Sequence, residues 1–99
     1  MRQVMVRYKV KAGRAEENEQ LVRAVYDELA RTRPDGLRYA TYRHDDGVTF
    51  VHVATDDTPD GRSPLLEVDA FKRFQEELAD RVEEGPVVTE VSQVGSYRS

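Results

Sequence analysis

Polar and apolar residues alternate with period two at the start of the chain. Val4, Val6, Tyr8 and Val10 fall on one face and Met5, Arg7, Lys9 and Lys11 on the other, which predicts a strand over Gln3–Lys11 that Gly13 ends. The period then becomes helical. Leu21/Val22, Val25 and Leu29 form a stripe within a helix from about Ala15 to Thr32. Glu16 and Glu17 lie in its first turn and Arg31 and Arg33 at its end, where the helix dipole favours each charge. Pro34 and Gly36 stop it. From Leu37 to Ala54 alternation returns in two runs joined by Asp46-Gly47, the pattern of a β-hairpin whose two turn residues both adopt positive φ. Leu37, Tyr39 and Thr41 share one face of its first strand, and Phe50, His52 and Ala54 one face of its second. Ala40, Tyr42, Val51 and Val53 take the opposite faces. An acidic loop over residues 55–63 follows. Ser63 is placed to cap a second helix with Pro64 in its first turn and Phe71, Phe74, Leu78 and Val82 on one stripe. Gly85-Pro86 is read as closing that helix, and a last strand as running from Val87 to about Tyr97.

The order is βαββαβ, the split βαβ arrangement of a ferredoxin-like α+β fold with an antiparallel sheet. Residues 1–99 make a single domain. Hydrophobic residues are 38% and charged residues 34% of it, thin core material for a chain this short. Both sheet faces read as apolar, yet two helices cover only one. The face bearing Met5, Ala40, Tyr42, Val51 and Val53 therefore predicts a homodimer joined sheet to sheet. Arg7 and Lys9 lie on that face too and call for acidic partners such as Glu90.

A net charge of −4, with basic residues scattered among acidic ones, argues against nucleic acid. The chain has no Cys, so disulfides, thiolate metal sites and cysteine nucleophiles are excluded. No apolar run approaches the eighteen or so residues of a membrane span, and the N-terminus carries no leader pattern, so a cytoplasmic protein is expected.

Four segments carry a resemblance to a known family: Val6-Arg7-Tyr8-Lys9-Val10-Lys11-Ala12-Gly13, Gly36-Leu37-Arg38-Tyr39, Thr49-Phe50-Val51-His52-Val53 and Ala70-Phe71-Lys72-Arg73-Phe74. In order and spacing the chain resembles the antibiotic biosynthesis monooxygenase type of the dimeric α+β barrel superfamily. The resemblance implies a homodimer with a pocket in each monomer, between sheet and helices. It implies oxygenation of a phenolic polycyclic substrate without metal, flavin or other cofactor: the substrate is deprotonated and its carbanion passes an electron to O₂. Haem-degrading members rely on an Asn, a Trp and a His. The resemblance sets Val6, Ala54 and Gln75 at those positions, and the chain has no Trp, which argues against haem degradation.

The candidate catalytic residues are His52, Tyr8 and Tyr39. A neutral imidazole at His52 is suited to take a phenolic proton near neutral pH, with the two tyrosines orienting the substrate. The plainer alternative is a core histidine bonded to Tyr8, Tyr39 or a backbone carbonyl, and tyrosines that are ordinary strand residues. Val6, Phe50, Ala54, Phe71, Phe74 and Gln75 are the expected pocket lining, although an aromatic stripe at this spacing is core first. Gln75 is expected at the pocket mouth or in solvent. Asn18 is expected either to reach the cavity or, more in keeping with a helix start, to be exposed or locally bonded. His44 lies in the hairpin turn, and Asp56, Asp57 and Asp60 lack the ligand spacing of a calcium loop, so no metal site is expected. Three functions follow: a cofactor-independent monooxygenase acting on a small aromatic or polyketide-like molecule, a non-catalytic small-molecule binding or sensing protein, and an interaction module whose pocket is closed by Phe50, Phe71 and Phe74.

Overall fold

Alternation along β1 (Arg2–Val10) sorts its side chains between two environments, with Tyr8 and Val10 buried and Met5 and Arg7 exposed. The computed structural model describes residues 1–98. After β1 come α1 (Ala15–Thr32), β2 (Leu37–Arg43), β3 (Thr49–Asp56), a 3₁₀ turn (Pro64–Glu67), α2 (Asp69–Glu76), α3 (Leu78–Arg81) and β4 (Val82–Glu90). The strands form one antiparallel sheet in the order β2-β3-β1-β4, a ferredoxin-like α+β fold.

α1 lays Ala15, Asn18, Val22 and Val25 on the sheet. Burying Val22 and Val25 contributes on the order of 1.5–3 kcal/mol each. Its far end holds α2: the backbone N–H groups of Asp69 and Ala70 donate to the Glu28 carboxylate at 3.0 and 2.9 Å. These are orphan donors at the start of α2, and Glu28 supplies the acceptor that α2's own sequence lacks. The Ala70 bond above all holds the Glu28 carboxyl below its usual pKa.

The hairpin forms where expected, but its turn is of another type. Only Gly47 has positive φ (78°), and the Gly47 N–H donates to the His44 carbonyl at 2.9 Å. The loop is thus built round an ordinary turn over His44–Gly47 that ends in a left-handed glycine. Asp46 stabilises it by accepting from the Thr49 hydroxyl and from the backbone N–H groups of Val48 and Thr49; the hydroxyl bond above all, with the two backbone bonds, lowers its carboxyl to about 2. At the other end of the hairpin, Gly36 has a φ of +79° and a Cβ there would run into the Asp57 carbonyl, so only glycine fits.

The last third of the chain corrects the sequence reading. The helical stripe breaks between Glu76 and Leu78, and β4 begins at Val82, not Val87, and ends at Glu90, not near Tyr97. Gly85-Pro86 lies inside this strand. The register against β1 shifts between Arg7 and Lys9, opposite that dipeptide, and a Cβ on Gly85 would stand 2.9 Å from the Arg7 carbonyl. Glycine with φ of +88° lets the bulged strand pass close to β1, so here it marks an irregular strand and not a helix end.

On the face away from the helices, Met5 and Tyr42 are exposed. Lys9 pairs with Glu83 at 3.5 Å, whereas Glu90 pairs with Arg2 at 3.2 Å and is not the partner expected for Arg7 and Lys9. No described helix is long and apolar enough to cross a membrane.

Candidate functional site

Between the helical layer and the β1/β3 half of the sheet lies a cavity of about 270 Å³. β1 contributes Val4, Val6 and Tyr8 to its floor, β3 contributes His52, Ala54 and Asp56, and β2 contributes Tyr39. Leu65, Phe71, Phe74 and Leu78 form the opposite wall. Exposed Gln75 and Val88 stand at the mouth. Of the expected lining, Val6, Ala54, Phe71, Phe74 and Gln75 border this space and Phe50 does not. Phe50 pairs with Tyr8 across the strands and stacks on its ring at 5.7 Å, away from the void, with the Arg43 guanidinium over its own ring.

The three candidate catalytic residues meet at one point. The Tyr8 hydroxyl is 2.7 Å from His52 Nε2, and His52 Nδ1 is 2.7 Å from the Tyr39 hydroxyl and 3.0 Å from Thr41 Oγ1. Thr41 Oγ1 also bonds the Tyr26 hydroxyl at 2.8 Å. On the other side Asn18 Nδ2 donates to the Tyr8 oxygen at 2.9 Å, and Arg81 Nε donates to Asn18 Oδ1 at 3.0 Å. Asn18 is fully buried, contrary to the exposed or locally bonded side chain expected near a helix start. Arg81, which the sequence reading did not single out, is fully buried as well. Its place is fixed by a second donation to the Phe74 carbonyl at 3.1 Å and by its lie over the Phe74 ring. An arginine next to a strand start carries no local sign of burial, so nothing in the pattern could have found it.

Donor chemistry sets the direction of the bonds from Arg81 to His52. A guanidinium only donates, so the Asn18 oxygen must face Arg81 and its NH₂ must face Tyr8. The Tyr8 oxygen accepts there, and its only other partner among the described residues is His52 Nε2, so its proton goes to that nitrogen. A neutral imidazole then carries its hydrogen on Nδ1 and donates to Tyr39. The Tyr39 hydroxyl accepts from the ring, has Thr41 as a further side-chain partner, and belongs to a residue that lines the cavity.

Burial enforces the protonation states that this order requires. It pushes the His52 imidazole down to about 4, and a positive ring would leave the Tyr8 proton with no acceptor. Burial likewise raises the Tyr8 phenol to about 12, against the opposing Asn18 bond, and raises Tyr39 further. At neutral pH, His52 is neutral and both phenols are protonated. His52 has both ring nitrogens engaged and presents no free lone pair to the cavity, so the geometry makes it a fixed link between two tyrosines. His44, the other histidine, is exposed in the hairpin loop.

No protein-family model matches this sequence, and no curated protein matches it either. Solved structures do. A Nitrosomonas europaea protein named "putative antibiotic biosynthesis monooxygenase" superposes with a TM-score of 0.78 at 18% identity, covering 96% of this chain and all of the other. The chain has the fold of the antibiotic biosynthesis monooxygenases. Another structure of that name matches at 0.69 and 19% identity over 96% of this chain and all of its own. A conserved protein from Methanosarcina mazei Go1 matches at 0.73 and 14% identity, over 91% of this chain and 89% of its own.

The depressed His52 pKa gives a testable stability profile. Unfolded histidine binds a proton near 6.5 and folded His52 only near 4, so between these values the unfolded state holds more protons and stability rises with pH. The neutral ring's contribution is complete above pH 6.5 and lost on acidification toward 4, a loss of about 3 kcal/mol. Urea unfolding from pH 7.5 to 4.5 should show this fall in wild type and in His44→Gln alike. A flat profile would contradict a buried neutral His52.

Proposed function

We propose that the chain belongs to the antibiotic biosynthesis monooxygenase family and acts on a planar aromatic or polyketide-like molecule, which it oxygenates with O₂ without metal or flavin. The observation that carries this reading is the largely apolar cavity lined by the phenol of Tyr39, whose oxygen accepts from His52 Nδ1. Val6, Ala54, Leu65, Phe71 and Phe74 would hold the ring system, and the Tyr39 hydroxyl would donate to a carbonyl or phenolate oxygen. As the acidic substrate proton passes to solvent water at the open mouth of the cavity, negative charge gathers on that oxygen and a preorganised donor stabilises it more than mobile water does. His52 and Tyr8 act through Tyr39, as positioning residues. His52 is not the proton-abstracting base that its sequence position suggests, because a ring with a pKa of about 4 and no free nitrogen is a poor base for a phenol. The fold resemblance supports oxygenation over mere binding, and a binding or sensing protein would use the same contacts without turnover.

Dithranol, an acidic phenolic anthrone, is a suitable probe, followed by O₂ uptake. Wild type should accelerate its oxidation, and Tyr39→Phe should lower kcat/KM by about a hundredfold while remaining folded, at a stability cost of about 1–3 kcal/mol for the lost bond to His52. Tight binding with no O₂ uptake would favour the sensing function. Activity unchanged in Tyr39→Phe would remove the donor from the account.

We also propose that the chain works as a homodimer through the open sheet face of Met5, Ala40, Tyr42, Val51 and Val53. Tyr42, 60% exposed on this face, supports the proposal. Sedimentation should report a dimer at micromolar concentration and a monomer for Tyr42→Glu, and a wild-type monomer would refute it.

A further inference from the structure

Two buried side-chain atoms have no hydrogen-bond partner among the described residues: Arg81 Nη1, behind Phe74 and outside the cavity lining, and Asp56 Oδ1, which belongs to a residue that lines the cavity. Asp56 is the last residue of β3 and is 5% exposed. Alternation sets it on the same face as His52 and Ala54, four residues beyond His52, or roughly 13 Å along the strand. The basic residue opposite it in the sheet, Arg2, turns its guanidinium to Glu90 at 3.2 Å. Leu37, opposite on the other side, offers no side-chain donor. A carboxyl oxygen withdrawn from water in this way is costly unless something donates to it.

We propose that Asp56 is a second recognition point of the cavity and binds a hydroxyl group at the far end of the ligand. The inference rests on the proposed small-molecule function and narrows its substrate class. The cavity then has a donor at one end, Tyr39, and an acceptor at the other, Asp56. The walls between them, Val4, Val6, Ala54, Leu65, Phe71 and Phe74, offer only apolar side chains. The matching ligand is an elongated planar aromatic molecule with an acceptor oxygen at its inner end and a phenolic or alcoholic hydroxyl at its outer end. The hydroxyl sets which ring system is accepted and in which direction it enters. A molecule that lacks it leaves the carboxyl oxygen unpaired and is rejected.

The test uses 4-acetyl-4′-hydroxybiphenyl and its 4′-methyl ether, which keep the carbonyl acceptor at one end and differ only in the donor at the other. Calorimetric titration of wild type should show about tenfold tighter binding of the hydroxyl compound. Asp56→Ala should reduce that preference to less than about twofold, and Tyr39→Phe should weaken both compounds alike and keep the preference. If Asp56→Ala fails to fold, Asp56→Asn serves, since its amide is a weaker acceptor and the preference should shrink. Equal binding of the two compounds by wild type, or a preference kept in the Asp56 variant, would overturn the role of Asp56 and leave the pocket reading standing. Binding of neither compound would overturn the pocket reading and this inference with it.

Discussion

A buried guanidinium that can only donate sets the polarity of this protein's interior. Arg81 has no ion pair among the described residues; its partners are the Asn18 amide oxygen, the Phe74 carbonyl and the Phe74 ring. Withdrawing such a group from water is expensive unless its bonds are well made, and burial itself pulls its pKa down. Once in place it leaves one orientation for Asn18, one direction for the Tyr8 hydroxyl and one tautomer for His52. The consequence emerges at the cavity wall as a Tyr39 oxygen that accepts from the ring. Residues from α1, α3 and three strands join in this single chain, so folding and the chemistry of the cavity depend on the same bonds.

This coupling changes what His52 is for. A histidine among tyrosines suggests a base, and its position near neutral pH is the usual reason for choosing it. Here its environment takes that property away and gives another: a rigid ring, stacked against Tyr8 and Tyr39, whose two nitrogens pass donor direction from one phenol to the next. Such networks work only when every member is satisfied, because the low dielectric that strengthens a made bond also raises the cost of a missing one. Asp56, with a carboxyl oxygen left out of any such arrangement, stands apart at the opposite end of the cavity.

Much of this was legible in the amino-acid order. Period-two alternation in β1, β2 and β3 placed Tyr8, Tyr39 and His52 on one face, and strand pairing did the rest. The ends of α1 were legible because its charges, its proline and its glycine all agree. The last third was not, because Gly85-Pro86 signals a break in local terms while its actual role, a bulge passing close to the Arg7 carbonyl, is set by a residue 78 positions earlier in the chain. Asn18 and Arg81 were missed for a related reason. Polar residues are buried only when partners distant in sequence satisfy them, and that satisfaction has no periodic trace. Glu28, capping a helix that starts forty-one residues later, is a third case.

The direction of the whole network rests on the proton position on His52. A long-range ¹H–¹⁵N correlation spectrum at neutral pH, with exposed His44 as the internal reference, reads it directly. The expected result is a neutral ring protonated on Nδ1, with Nε2 the bare nitrogen that accepts from Tyr8. A ring protonated on Nε2, or on both nitrogens, would contradict the direction of the network.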